Sequence, residues 1–224
     1  MRVPAGLILL AAALAAVDPA SKGVNFYSLE TELERGRQLV ASLDRTLPQW
    51  NDPDWIAYLE ELGHTLARQL TPNVFTYRFR IVDDRQPVTA ASDLFLFPPH
   101  GWQWEQVEPL AVAGGGIYVP LKLLRQCDRE PKLAAALAHA IAHVAGRHAT
   151  RLATRIELVR LAQEKLTELR PSIVVKVWPW HFERNFERLA DRVASALMAE
   201  AGYDPAGASS SRFESLRLLL PKTD

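Results

Sequence analysis

The sequence predicts an α+β fold, a single mostly helical domain with a small sheet. Three observations support this. Several long segments place apolar residues at helical spacing between capping and breaking residues. One segment alternates strictly, and two short ones are strand-like. The 224 residues contain no internal repeat, and their length suits one core.

Taken in order, the chain opens with Arg2 and an apolar run from Leu7 to Val17, with small residues at Ala13, Ala15 and Ala16. Eleven apolar residues are too few to cross a hydrocarbon core of about 30 Å. Residues 1–17 are therefore expected to be a cleaved secretory signal, and residues 18–224 the working domain. Leu29–Leu43 reads as a helix capped by Ser28, with Leu33, Leu39, Val40 and Leu43 as its stripe. Asp54–Leu70 reads as a second, opened by Asp52-Pro53 and closed before Thr71-Pro72. Phe75, Tyr77, Phe79 and Ile81 alternate with Thr76, Arg78 and Arg80, the pattern of a half-buried strand. Further strands are expected at Leu94–Phe97 and Gly116–Val119, separated by a breaker-rich loop carrying Trp102 and Trp104. Pro131 opens a long helix predicted to run without interruption to Ala153 and as far as Lys165. Another spans Phe182–Ala201 before Gly202, and Ser211–Leu220 closes the chain. Trp102, Trp104, Trp178 and Trp180 are read as ordinary packing residues.

Composition narrows the function. Lys plus Arg and Asp plus Glu number 26 each, so no net charge draws the chain to nucleic acid, and no nucleic-acid partner is expected. The lone Cys127 excludes an intrachain disulfide and a Cys-rich metal module. No segment after the leader approaches the apolar length of a membrane span.

The chemistry gathers around His139-Ala140-Ile-Ala-His143. Histidines four apart share a helix face and can converge on one ion. In the signature H-E-x-x-H, the residue after the first histidine is a glutamate that takes a proton from zinc-bound water. Here it is Ala140. H-x-x-x-H alone is weak evidence, but a second four-residue pair, Glu187 and Asp191, stands about forty residues downstream. One of these can ligate metal while the other accepts a hydrogen bond from a ligating imidazole. The plain alternative is a solvated face paired with Arg184, Arg188 and Arg192; the company of the two histidines favours metal. His148 is set aside, because nine residues along a continuing helix turn it about 900°, onto the opposite face from His139. The metzincin third-histidine position is Ala149, and His64, His100 and His181 have no partner at metal spacing.

His139-x-x-x-His143, Arg147-His148, Glu187-x-x-x-Asp191 and Ala201-Gly-Tyr-Asp-Pro205, in this order, resemble the HtpX/BepA-like zinc metallopeptidases, gluzincins related to the CAAX prenyl endopeptidases. The opening Lys22–Glu30 and the Ala113–Val119 stretch are also similar to soluble, secreted members. The resemblance implies a gluzincin-type helical domain with a small mixed sheet beside the zinc helix. It implies Zn2+ held by His139, His143 and Glu187, with Asp191 behind a ligand, and proteolysis of misfolded or misassembled envelope proteins. Two departures stand out. Ala140 replaces the general base, and Glu108-Pro-Leu-Ala-Val-Ala-Gly114-Gly115 stands where members usually show an N-A-F-x-x-P-G-G-like stretch. Glu108 is a weak candidate for a substitute base. The expectation is a secreted or periplasmic pseudopeptidase that keeps zinc and a peptide cleft, with unfolded envelope polypeptides as partners. An active endopeptidase with an unorthodox base is the alternative. A domain that has lost its metal is disfavoured by the four retained residues.

Overall fold

Ser28 starts the first helix as expected, its hydroxyl accepting the backbone N–H of Thr31. In the computed structural model, which describes residues 24–85, 93, 95–98, 107–169, 180–204 and 210–221, this helix, α1, spans Leu29–Thr46. The predicted leader, His100 and Trp102, Trp104 and Trp178 lie outside the described residues. α2 spans Pro53–Ala67; the Asp52 carboxylate accepts from Asp54 and Trp55 N–H, and the proline occupies the first turn, where its missing donor is harmless. α2 buries Trp55, Leu59 and Leu66 completely.

Four short strands follow: β1 (Arg78–Val82), β2 (Leu96–Phe97), β3 (Leu110–Val112) and β4 (Gly116–Pro120). They form one mixed sheet in the order β1-β4-β3-β2, with β1 parallel to β4 and the other pairs antiparallel. The register lines up Phe79, Ile117, Ala111 and Phe97 across one face, all in the main core beneath the helices. Leu96, Leu110, Val112 and Tyr118 point the other way, into a second cluster with Leu43 of α1. The alternation predicted from Phe75 to Ile81 is realised in burial, although pairing begins only at Arg78. Sequence reading missed β3 because Leu110, Ala111 and Val112 are buried on both faces and therefore do not alternate. Gly115 makes the β3–β4 turn at φ +119°, where a Cβ would come within 2.2 Å of the Thr76 carbonyl oxygen.

α3 (Leu121–Gln126) leads into α4 (Glu130–Ala145), the central helix. Leu133, Ala134, Leu137, Ala138 and Ile141 are wholly buried. A helix apolar almost all round belongs in the middle of a fold, and its alanines admit close neighbours. At its start, Glu130 accepts hydrogen bonds from the hydroxyls of Tyr58 (2.6 Å), Tyr203 (2.9 Å) and Ser210, which cap it against three other segments. Together these bonds outweigh burial and keep its carboxyl below the ordinary value.

The predicted uninterrupted helix is two. α4 stops at Ala145, and α5 (His148–Leu169) starts after a sharp break at Gly146 and Arg147. Arg147 takes φ +54°, a conformation that costs an L-residue of this size about 1–2 kcal/mol. α6 (Trp180–Glu200) lies along α4, and α7 (Ser211–Leu218) closes the core with Phe213. The whole is the mostly helical α+β domain expected, with seven helices among the described residues. None of these helices is long and apolar enough to cross a membrane.

Candidate metal centre

The i, i+4 spacing on α4 brings His139 and His143 together, their Nε2 atoms 2.9 Å apart. α6 supplies Glu187, whose Oε2 lies 3.2 Å from His139 Nε2 and 3.7 Å from His143 Nε2. One ligand atom from each of the three residues falls within 4.8 Å of the others. Tetrahedral ligands at zinc–nitrogen and zinc–oxygen distances stand about 3.3 Å apart. The three separations bracket that figure, and two imidazoles with a carboxylate suit a borderline divalent ion. The residues fit zinc.

Each imidazole is also held from behind. His139 Nδ1 lies 3.0 Å from Asp191 Oδ1, one helical turn beyond Glu187 on α6. His143 Nδ1 lies 3.1 Å from His148 Nδ1. The expectation that His148 faces away is therefore overturned. The break after α4 redirects the chain and tucks the ring, 1% exposed, behind His143. Gly146 makes this fit possible, since a Cβ there would sit 2.3 Å from His148 Nε2. Arg147, at its unfavourable φ, is anchored through its side chain. Its Nε donates to Glu32 Oε2 (2.6 Å) and its Nη2 to the Tyr27 carbonyl (2.7 Å). Thr150 also donates to Glu32, and Thr154 accepts the Phe26 N–H. A faint sequence signal for this arrangement existed. Gly146, Arg147, Thr150 and Thr154 put a breaker and polar groups into a supposedly continuous buried helix.

Aromatic rings complete the mount. Phe97 of β2 stacks on His143 at 3.9 Å, and Phe186 of α6 lies 4.7 Å from His148. Burial pulls the His139 pKa down, but the hydrogen bond and charge of Glu187, with Asp191, outweigh it and raise the value overall. His143 is lowered by burial, and His148 is lowered much further for the same reason. Glu187 falls well below the usual carboxylate range, because both imidazoles more than offset its desolvation. A low-pKa carboxylate and an inner imidazole kept neutral are the protonation states that a cation requires.

The other candidates separate from this cluster. Ala140 is 2% exposed and offers only a methyl group. Glu108 is exposed just before β3 and is the last of the charges acting on His139. His64 pairs with Glu60 on α2, and Cys127 is buried, its thiol pushed up to about 11 by desolvation. His181 and Trp180 fall on α6 where only the backbone is described. Arg188 donates to Asn185 and the Arg184 carbonyl, while Glu187 and Asp191 turn to the histidines.

Residues 107–211 match the model of Peptidase family M48. That span runs from just before β3 to the start of α7 and contains all four cluster residues and His148. No match to the chain was found among the curated proteins.

Proposed function

We propose that this chain, which matches Peptidase family M48 over residues 107–211, is a zinc-binding pseudopeptidase. In this reading His139, His143 and Glu187 hold Zn2+, and Asp191 orients His139. The observation that carries it is the convergence of Nε2, Nε2 and Oε2 within 4.8 Å beside a residue, Ala140, that has no proton acceptor. When bound, zinc supplies Lewis acidity that polarises a carbonyl and acidifies water. A positioned base typically adds a further 10²–10⁴-fold. An alanine methyl can neither take a proton nor pass one to a leaving amine. The chain would bind polypeptide beside the metal far better than it cuts. The arginine and apolar run of residues 2–17 favour work outside the cytosol, secreted or in a bacterial periplasm. The clients proposed are unfolded or misassembled envelope polypeptides.

Zinc content and cleavage test this reading together. The purified protein is expected to hold one zinc per chain and to leave an unfolded protein substrate intact, while Ala140→Glu cleaves it. Chelator-sensitive cleavage by the wild type would overturn the pseudopeptidase reading. It would favour an active endopeptidase with Glu108 as base, since the Glu108 charge reaches His139; such activity should vanish in Glu108→Gln.

A further inference from the structure

We propose that His148 is a positioning residue for the metal centre, accepting the Nδ1 proton of His143 and braced by a buried water between its own Nε2 and Glu32. This rests on the reading of His143 as a metal ligand. To offer Nε2 to a cation, a neutral imidazole must carry its proton on Nδ1. The group facing His143 Nδ1 is His148 Nδ1, at 3.1 Å, with both residues buried to within 3%. His148 Nδ1 must then accept, which places the proton of His148 on Nε2 and makes that atom a donor.

The donor has no partner among the described residues, and neither has the acceptor Glu32 Oε1, although both atoms are fully buried. Buried polar groups are normally satisfied, by ordered water where no side chain reaches. Glu32 and His148 line one and the same cavity of about 10 Å³, close to the space one water fills. Its other walls include Phe97, Ala113 and Val144. Glu32 is held for the purpose, because its second oxygen accepts from Arg147 and Thr150. The donors then run in one direction: His143 to His148, His148 to water, water to Glu32. Every member has the role its neighbour requires. The helix break at Gly146 and Arg147 thus builds the support of the inner ligand.

The test compares wild type, His148→Leu and His148→Asn by chelator-competition zinc affinity, beside ring-nitrogen NMR of the zinc-loaded wild type. His148→Leu is expected to lose about 10–100-fold in affinity, the usual effect of removing a ligand's supporting partner. His148→Asn, which keeps an acceptor near the Nδ1 position, should recover most of it. The spectra should show His143 protonated on Nδ1 and His148 on Nε2, with a water cross-peak to the His148 Nε2 proton. Unchanged affinity in His148→Leu, or a proton on His148 Nδ1, overturns the positioning role, and a missing cross-peak overturns the bound water. The spectra decide the matter even if the leucine variant fails to fold. A wild type that takes up no zinc overturns the metal reading itself, an outcome distinct from the others.

Discussion

The two imidazoles of the cluster face opposite environments and meet the same need by different means. On the outer side, His139 turns its Nδ1 to Asp191, whose side chain is 68% exposed. On the inner side, His143 is buried and turns its Nδ1 to a neutral ring, His148, that is buried as well. A carboxylate suits the wet side, where solvation lowers the cost of its charge. On the dry side a second carboxylate would have to be desolvated beside Glu187, a heavy penalty unless fully paired. A histidine supplies an acceptor there without a charge. The contrast teaches that the same supporting hydrogen bond is chosen by dielectric as well as by geometry.

The largest expected effect removes a proposed ligand outright. His143→Ala or Glu187→Gln should abolish stoichiometric zinc binding in metal analysis, while far-ultraviolet circular dichroism still reports the helices. If either variant keeps full zinc, the two halves do not share an ion. The next effect ranks the halves against each other. Water can replace the exposed Asp191 carboxylate, so Asp191→Ala should cost about tenfold in zinc affinity, the lower end for a supporting partner. His148→Leu should cost more, because nothing in the buried pocket takes its place. The reverse order in chelator competition would break the comparison.

A pH titration of the metal-free protein sharpens the contrast further. His139 is raised in the folded state, so its contribution to stability is complete below the unfolded value of about 6.5 and is lost as pH rises through the folded value. His143 and His148 are lowered, so the folded state loses stability as pH falls below about 6.5, when the unfolded chain takes up protons that the folded rings refuse. Chemical denaturation across pH should therefore show maximal metal-free stability near neutrality, with the acid limb set by the inner pair. Ring-resolved NMR should place the His139 midpoint above the other two. The smallest effect concerns the ring packed on the inner ligand. Phe97→Leu should lower stability by about 1 kcal/mol through lost stacking, while zinc affinity changes less than about threefold.

Much of this was legible along the chain. His139 and His143, like Glu187 and Asp191, declare themselves through four-residue spacing, and the structure brings the two pairs together. Helix starts at Ser28 and Asp52 were readable because a cap is a contact between near neighbours. β3 was not readable, since a three-residue strand buried on both faces carries no period. Nor was the end of α4. Gly146 alone is tolerated inside many helices, and nothing local requires Arg147 to adopt a positive φ.

The sequence by itself determined which side chains share a helix face, because helical geometry is a property of adjacent residues and needs no partner. It also determined that position 140 carries no base. Only the tertiary structure decided that the α4 and α6 faces meet, and that His148 stands behind His143 rather than opposite His139. That second decision rests on Arg147, whose side chain is held by a glutamate 115 positions away, at a distance along the chain that no local pattern encodes.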